Sequence, residues 1–567
     1  MNSSQLTLGF PSELSPAAYD YGLRSSGESH GVVLTKPHIV ELMLDLAGYT
    51  EDRDLAALTF LEPSCGHGAF LGPALSRLVR SARSRKRPLS DLNQAIAAYD
   101  ISVDHVVHSR GLAATILADE GFRPDEAMYI AERWIQCGDF LLAPIQQEFD
   151  VVVGNPPYVR VENLASELQA EYRARFATLF DRADLYIAFI ERSLTLLKPE
   201  GILSFICADR WVRNKYGAPL RSLISRNYAM RWYVDIHKTS PFESEVSAYP
   251  SIFGVSKSVQ KRAVPVVTLP TASPEECAIA LGMMRGESLQ ASGVTLTRHA
   301  DSFSNSGPWI LSNSAERDLL KAMEEKFAPL ESLPGTRVGI GVATGNDSIY
   351  IVDRNAPIES DRLVPLVMRG DISRGATTDS GRCVINTFCE GGGLIDLAEY
   401  PLLSRYFDAH TSAIQKRHVA KRNPSGWFRT IDRVYPELVP RPKLLIPDIA
   451  RTNEVTYDAG LFHPHHNLYF VTSEEWDMEI LGALLSSRMA LFFVWSYATK
   501  MRGGYIRFQA QYLRRIRIPH PGAISPKLAT QLKAAFRERD FASLDALALN
   551  AYAVSRLPEF DLPEARY

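Results

Sequence analysis

A stiff polar corner follows one of the most apolar runs of the sequence. Val151–Val153 are followed by Gly154 and then by Asn155-Pro156-Pro157-Tyr158. The two prolines lack a backbone N–H and hold φ near about −65°, so the loop is rigid and its carbonyls stay free to accept hydrogen bonds. Asn155 adds a side-chain oxygen and Tyr158 adds a flat ring. The corner is therefore suited to hold a planar exocyclic amine between two acceptors and an aromatic face.

A second segment, Glu62–Leu71, combines an acid at a strand end with two glycines that lead into a helix. Gly66 and Gly68 would let a ligand approach the backbone closely. The dinucleotide fingerprint would need glycine at position 71, where the sequence has leucine. An acid at Glu62 disfavours a phosphate ligand and suits a cationic one. We interpret the segment as a site for a positively charged nucleoside cofactor, and we assign His67 to the shape of the turn, with no catalytic role.

Two further acids follow strand candidates between these segments. Asp100 comes directly after Ala95–Tyr99, and Asp139-Phe140 follow Cys137-Gly138. Asp100 is placed to bind the two hydroxyls of a ribose, and Asp139-Phe140 to contact an adenine amine and its ring face. The carboxyl ends of parallel strands meet at one edge of a sheet, where ligands of such sheets bind. We therefore expect Glu62, Asp100, Asp139 and the Asn155 corner to form one site.

The elements that must position these residues alternate between strands and helices from about residue 36 to residue 206. Apolar residues recur at helical spacing in three segments, and short apolar runs between turn residues indicate four strands. The predicted helices cover 36–47, 69–79 and 183–197, and the predicted strands cover 57–61, 95–99, 150–153 and 202–207. Strands separated by helices predict an α/β fold, a doubly wound parallel sheet covered on both faces.

The pattern changes after about residue 265, and this change suggests a division into domains. We interpret residues 1–30 as a flexible N-terminal segment, 31–265 as a catalytic domain and 266–335 as a linker or peripheral segment. Residues 336–567 form a further domain, with short apolar runs broken by Gly, Pro and Asn and a helical segment over 525–551. No internal repeat or low-complexity tract interrupts this organisation.

Composition excludes several classes of protein. The 62 Lys and Arg against 65 Asp and Glu give a net charge of −3, so any nucleic-acid binding must use local patches. The six cysteines include no C-x-x-C pair, and no cluster has metal-ligand spacing, so we expect no metal. Residues 1–14 lack the features of a secretory signal. The most apolar stretch, Met489–Trp495, is far shorter than the roughly 18 residues that span a bilayer. We expect a cytoplasmic protein.

Taken in order, these motifs resemble those of the γ-group, TaqI-like N6-adenine DNA methyltransferases of type II restriction–modification systems. The resemblance covers about 31–256 and, more loosely, 336–520. It implies a class I S-adenosylmethionine-dependent methyltransferase sheet followed by an α+β target-recognition domain. Gly31–Pro37 is similar to the family's N-terminal motif, except that Lys36 is inserted before the proline. Asp184–Phe189 is similar to a later motif of the family that contains an aromatic residue.

The resemblance implies site residues as well as an activity: transfer of a methyl group from S-adenosylmethionine to N6 of an adenine flipped out of double-stranded DNA. Asn155, Pro156 and Tyr158 would be catalytic, and Tyr158 and Phe242 would stack on the target base. The expected cofactor-binding residues are Thr35, Glu62, Ser64, Gly66, Gly68, Asp100, Asp139, Phe140, Asn155 and Phe189. In the family the residue corresponding to Thr35 contacts the methionine part of the cofactor.

Two stretches of the C-terminal region are locally basic and contain aromatic residues. Residues 416–443 carry eight Lys or Arg against two acids, and 500–517 carry six and no acid. Such patches on a chain of negative net charge are typical of phosphate-contacting surfaces. The residues expected to bind DNA are Lys416, Arg417, Lys421, Arg422, Arg429, Arg433, Arg502 and Arg507.

Other functions are compatible with parts of the pattern. A protein-glutamine N5-methyltransferase could use the same corner for a planar amide, although it would not need the large C-terminal region. A non-catalytic DNA-binding subunit with a vestigial cofactor pocket is the other alternative, and the intact motifs disfavour it. We expect no nuclease in this chain, because Pro447-Asp448 with Glu454–Thr456 lack the required lysine. The expected partners are double-stranded DNA and a separately encoded endonuclease, and the expected state is a monomer.

Overall fold

The computed structural model describes residues 33–560, except 238, 245–248, 499, 502–504 and 559. The segment 1–30, predicted to be flexible, lies outside the described residues, as do Gly31, Val32 and Arg502. The chain divides into two compact units, one ending at Leu311 and the other beginning at Ser312. Each unit has its own sheets and its own core.

The first unit is built on a nine-stranded sheet in the order β3-β2-β1-β4-β5-β7-β6-β8-β9. Strands β3, β2, β1, β4 and β5 pair in parallel, and β7 runs antiparallel between β5 and β6. This arrangement confirms the predicted doubly wound α/β fold. Its strands are β1 Phe60–Glu62, β2 Ile96–Asp100, β3 Ile135–Cys137, β4 Phe149–Gly154, β5 Leu197–Ala208, β6 Ala229–Asp235, β7 Pro250–Ser256, β8 Val264–Thr268 and β9 Thr295–His299.

Helices cover both faces of this sheet. Consecutive strand residues point to opposite sides, so a strand that is apolar throughout needs a covering layer on each face. Val151 and Val153 of β4 belong to one buried apolar cluster, whereas Val152 between them belongs to the other. The strand is therefore apolar throughout, as is typical of a buried parallel strand. The helices are α1 Pro37–Leu46, α2 Leu71–Ser84, α3 Val103–Asp119, α4 Pro124–Trp134, α5 Ser166–Arg175, α6 Tyr186–Thr195, α7 Arg210–Arg213, α8 Ala218–Asn227 and α9 Pro274–Arg285.

The strand order reverses between β1 and β4, which lie side by side while the chain winds outward from them in both directions. Such a switch point leaves a crevice outside the carboxyl ends of the two strands. Glu62 ends β1, Asp100 ends β2 and Asn155 follows β4. The fold therefore brings the predicted acids and the Asn155 corner to one edge.

The first unit extends further along the chain than the sequence indicated. The segment 266–335 was expected to be a linker or a peripheral segment. In the structure β8 pairs in parallel with β6, β9 pairs with β8 at the edge of the sheet, and α9 packs near α1. β9 is an edge strand in which only His299 is buried, so its sequence lacks a clear apolar period. The boundary lies instead between Leu311 and Ser312.

The second unit mixes helices with several small sheets, as expected for an α+β domain. Its two four-stranded sheets have the orders β11-β21-β17-β19 and β12-β16-β13-β20. The strands are β10 Ala328–Pro329, β11 Arg337–Ile340, β12 Ile351–Asp353, β13 Leu363–Val367, β14 Ile372–Ser373, β15 Ala376–Thr377, β16 Arg382–Ile385, β17 Lys443–Pro447, β18 Ile449–Ala450, β19 Thr456–Asp458, β20 His463–Pro464, β21 Leu468–Thr472, β22 Lys500–Met501, β23 Tyr505–Arg507 and β24 Arg517–Ile518.

Nine helices of the second unit fall within the described residues, and the last two confirm the predicted C-terminal helical segment. They are α10 Ser314–Lys326, α11 Asp347–Tyr350, α12 Pro401–Gln415, α13 His418–Arg422, α14 Met478–Ser486, α15 Arg488–Tyr497, α16 Ala510–Leu513, α17 Pro526–Glu538 and α18 Phe541–Tyr552. In the part of the chain that the structure describes, no single helix is long and apolar enough to cross a membrane. Only α14 and α15 taken together reach that length and composition, across a bend of 62°.

A buried ion pair holds two strands of the second unit in register. Lys443 of β17 lies opposite Asp458 of β19, both side chains are fully buried, and Nζ lies 2.6 Å from the Asp458 carboxylate. The ammonium also donates to the carbonyls of Val439 and Arg441, at 3.2 and 2.9 Å. From sequence, Lys443 was counted in the basic stretch 416–443, but its ammonium is buried and pairs with Asp458.

Lys443→Met should destabilise the second unit strongly, because it leaves the Asp458 carboxylate buried without its cation. The expected loss is about 3–5 kcal/mol, measured by denaturant unfolding. The double variant Lys443→Met/Asp458→Leu is the matched control and should recover most of the stability. A single variant as stable as the unaltered protein would contradict this account.

Candidate active site

A cavity of about 240 Å³ lies at the carboxyl ends of β1, β2 and β4. The structure brings into its lining nearly all the cofactor and catalytic residues that the sequence predicted. They are Thr35, Glu62, Ser64, Gly66, Asp100, Asp139, Phe140, Asn155, Pro156, Tyr158 and Phe189. Residues spread over more than 150 positions of the chain therefore share one concave site.

Asn155 lines this cavity and carries a buried hydrogen-bond acceptor that has no partner. Its Oδ1 is buried and has no partner, whereas its Nδ2 donates to the carbonyl of Val33 at 3.1 Å and to Oγ1 of Thr35 at 3.4 Å. The hydroxyl of Ser64 donates to the backbone carbonyl of Asn155 at 3.1 Å. An unpaired buried acceptor is costly, so this arrangement fits a ligand that brings a donor.

Two acidic side chains, Glu62 and Asp100, line the cavity. Glu62 is buried and its Oε2 has no partner, and burial together with the nearby charge of Asp100 raises the pKa of Glu62 well above its usual value. Asp100 accepts hydrogen bonds from the backbone N–H of Gly66 at 2.8 Å and of Ser102 at 2.9 Å. A cationic ligand would relieve the burial of the Glu62 charge, so the residues present fit a positively charged nucleoside.

Asp139 is a buried acid held by two donors. Its Oδ1 accepts from the N–H of Leu141 at 2.8 Å, and its Oδ2 accepts from the hydroxyl of Tyr172 at 2.8 Å. Burial raises the pKa of Asp139 to about 6, although these hydrogen bonds and the charge of Arg192 oppose the rise. The carboxyl group therefore changes its charge, and its capacity to accept a hydrogen bond, in the physiological range.

Aromatic rings form the remaining walls. The rings of Phe140 and Phe189 lie 5.4 Å apart at 30°, so they form an apolar wall beside Asp139. Tyr158 lies edge-on to Phe242, with ring centroids 6.2 Å apart. Phe242 itself is buried and is not part of the cavity lining, so its predicted stacking on a target base stays a prediction.

Position 68 needs glycine for a structural reason that the sequence did not reveal. It is absent from the cavity lining, its φ is +82°, and a Cβ there would lie 2.7 Å from Cδ2 of Leu112. A left-handed turn packed against α3 therefore requires glycine here, and the contact of Gly68 with a cofactor stays a prediction. Gly66, also at positive φ, does line the cavity.

Two residues that support the acids were missed from sequence. The Nδ1 atom of His105 lies 3.0 Å from Oδ1 of Asp100, and His105 lines the cavity together with His67. Ser102 caps α3 and places His105 in its first turn, a local signal that could have been found. Tyr172, which holds Asp139, comes from α5, and nothing in the sequence connects the two.

The described residues include one group with metal-ligand distances, in the second unit. Ligand atoms of Asp347, His465 and His466 lie within 4.8 Å of one another. The Nε2 atom of His465 lies 3.1 Å from Asp347, and its buried Nδ1 has no partner. Histidines that bind metals almost always donate their second ring N–H to a partner, which Nδ1 of His465 lacks among the described residues. The contact fits a pair that joins the start of α11 to the residue after β20.

The predicted DNA-binding residues have different surroundings. Lys416, Lys421 and Arg422 are exposed on and beside α13. Arg417, by contrast, turns inward: its guanidinium donates to the carbonyls of Thr344, Trp427 and Arg429 and to the Tyr350 hydroxyl. These bonds hold the half-buried Arg417 within its own unit, and its role as a phosphate contact stays a prediction.

Three other predicted contacts are partly engaged within the second unit. Arg429 donates to the carbonyls of Thr430 and Ile431, and Arg433 donates to the carbonyl of Glu390. Arg507 forms an ion pair with Asp448. Arg502 lies outside the described residues.

Comparison with protein-family models identifies two segments. Residues 119–242 match the Eco57I restriction-modification methylase family, and residues 393–518 match the TaqI-like C-terminal specificity domain. The first match contains Asp139 and the Asn155 corner. The second contains Lys416, Lys421 and Arg422.

Similarity to curated proteins extends over almost the whole chain. The chain is 43% identical over 532 residues to the type II methyltransferase M.PaeR7I of Pseudomonas aeruginosa, covering 93% of this chain and 92% of that protein. It is 42% identical to M.BstVI of Geobacillus stearothermophilus, covering 93% and 96%. These relatives give no support to a protein-glutamine methyltransferase or to a non-catalytic subunit.

Among solved structures, the fold is similar to that of the type IIL restriction-modification enzyme MmeI in complex with DNA. The TM-score is 0.59 at 14% identity, covering 92% of this chain and 74% of the other. The identity to the curated methyltransferases establishes S-adenosylmethionine as the cofactor. The protein therefore belongs to the type II DNA methyltransferases of restriction–modification systems.

Proposed function

We propose that this enzyme methylates N6 of an adenine that flips out of double-stranded DNA into the cavity beside Asn155. The observation that carries the proposal is the buried, unpartnered Oδ1 of Asn155, a residue that lines the same cavity as Glu62, Asp100 and Asp139. An exocyclic amine can donate the hydrogen bond that this oxygen does not receive from the protein. The choice of adenine rests on the resemblance of the ordered motifs to the N6-adenine enzymes.

The residues act mainly by positioning. When bound, S-adenosylmethionine supplies a methyl group on a sulfonium, which is already an excellent leaving group. Hydrogen bonds from the amine to the Asn155 oxygen and the Pro156 carbonyl would turn the nitrogen lone pair out of conjugation and toward the methyl carbon. In-line orientation of this kind contributes about 7–11 kcal/mol in well-aligned reactions.

Tyr158 supports the extruded base. A base within a duplex cannot reach a cavity of this kind, and flipping costs a few kcal/mol. The Tyr158 ring lines the cavity beside Pro156 and Pro157. Stacking on an aromatic ring contributes about 1–3 kcal/mol per base in single-strand binders, which offsets much of the cost of flipping.

The exposed cations of the specificity segment would contact DNA phosphates. Lys416, Lys421 and Arg422 combine exposure with a place inside the matched range 393–518. Phosphate contacts of this type give affinity and position, while base edges give sequence preference. We further propose that the enzyme acts as a cytoplasmic monomer, and that a separately encoded endonuclease cuts the same site; size-exclusion chromatography with light scattering tests the monomer.

Asn155→Ala should reduce methyl transfer at least about 100-fold, because the amine loses the acceptor that orients it. The measurement is base-resolved sequencing of DNA from cells that express each form, with single-turnover rates of the purified proteins. The unaltered enzyme should mark adenines at one recurring sequence. Marks on cytosine alone would refute the choice of base, and full activity in the variant would refute the role of Asn155.

Cofactor affinity should fall as the pH is lowered through about 6, because protonated Asp139 loses capacity to accept from the adenine amine of the cofactor. Calorimetry between pH 5 and about 8 measures this. His105, whose pKa is raised by its hydrogen bond to Asp100, also lines the cavity. Asp139→Asn isolates the effect of Asp139 and should flatten the profile near pH 6. An unchanged profile in this variant would assign the dependence to another group.

Reversing two exposed charges, Lys421→Glu with Arg422→Glu, should weaken DNA binding and lower the slope of log affinity against log salt. Each lost phosphate contact reduces that slope by about 0.9. Lys527→Glu is the matched control, since Lys527 is exposed but lies outside the matched segment. Equal slopes for the double variant and the control would exclude α13 from the DNA surface.

A further inference from the structure

The two ends of the Asn155 amide have different surroundings, and this difference fixes its orientation. The carbonyl of Val33, 3.1 Å from Nδ2, can only accept a hydrogen bond. Turning the amide over would place two acceptors against each other and would direct the donor end into the cavity. The contacts of Nδ2 therefore decide that an acceptor, and not a donor, meets the substrate.

Thr35 supplies the second contact, and it does so from a fixed position. Its Oγ1 lies 3.4 Å from Nδ2 of Asn155, and the residue is 3% exposed. The backbone of Thr35 forms a β-bridge with Phe242. Two hydrogen bonds flank the bridge: the Lys36 N–H donates to Pro241 at 2.9 Å, and the Glu243 N–H donates to Leu34 at 2.9 Å.

The same bridge also supports the other side of the corner. Phe242 packs edge-on against Tyr158, whose ring lines the cavity next to the prolines. The short ladder between 33–36 and 241–243 thus contacts Asn155 through Thr35 and Tyr158 through Phe242. Both contacts come from residues far from the corner in sequence.

We propose that Thr35 is a positioning residue for methyl transfer, which holds the Asn155 amide so that its oxygen faces the amine of the target base. This inference rests on the proposed function of Asn155. It differs from the expectation drawn from the family resemblance, that Thr35 contacts the methionine part of the cofactor. An experiment can distinguish the two roles. Positioning of Asn155 affects the rate of methyl transfer, whereas a contact with the methionine part affects the affinity for the cofactor.

Thr35→Val removes the hydroxyl and keeps the shape of the side chain, and Thr35→Ser keeps the hydroxyl. We expect Thr35→Val to lower the single-turnover rate about 2- to 13-fold, as for one lost hydrogen bond. Its dissociation constant for S-adenosylmethionine should stay within about twofold of the unaltered value. Thr35→Ser should retain most of the rate. A Thr35→Val variant with full rate, or one whose loss is explained by weaker cofactor binding, would overturn the proposal.

A second variant tests the same idea if Thr35→Val folds poorly. Asn155→Asp keeps an acceptor at Oδ1 but replaces the two donors of Nδ2 with an oxygen that faces the Val33 carbonyl. We expect a slower transfer, and a full rate would show that the donors of Nδ2 are dispensable and would overturn the proposal. The rates count total methyl groups transferred to DNA from radiolabelled cofactor, so they stay interpretable even if sequencing places the mark on a base other than adenine.

Discussion

The site depends on polar atoms that the fold buries and leaves without partners. Oδ1 of Asn155 and Oε2 of Glu62 both lack hydrogen bonds within the described protein, at a cost of about 1–3 kcal/mol for each such group. The fold sustains this cost because the corner cannot relax: two prolines stiffen it, and Ser64, Val33 and Thr35 hold Asn155. In the proposed function, substrate and cofactor groups complete hydrogen bonds that the protein has already oriented.

The charges at the edge of the sheet follow the same principle. Glu62 and Asp100 lie near enough for the charge of Asp100 to raise the pKa of Glu62. Two acids in one buried cavity repel each other, and a cation between them removes that repulsion. The two acids thus favour a positively charged nucleoside over a neutral one, whatever contacts the methyl group makes.

Local patterns predicted the fold of the first unit and most of the cavity, because the relevant residues sit at strand ends and the topology gathers strand ends at one edge. The contacts that orient them could not be predicted in this way. Asn155 and Thr35 are 120 positions apart, and Asp139 and Tyr172 are 33 apart. Neither pair has a spacing that implies contact. β9 was missed as part of the sheet because an edge strand with one buried residue carries little apolar period.

The basic segment of the second unit shows a further limit of sequence reasoning. Charge density along the chain predicted one surface, yet the cations divide by what lies beside them. Arg417 is held by carbonyls and Lys443 by Asp458, while Lys421 and Arg422 remain exposed. A guanidinium has five donors and can satisfy several loop carbonyls at once, so an arginine in an irregular region serves structure as readily as DNA binding. Only the acceptors around each cation, which come from distant segments, decide between the two roles.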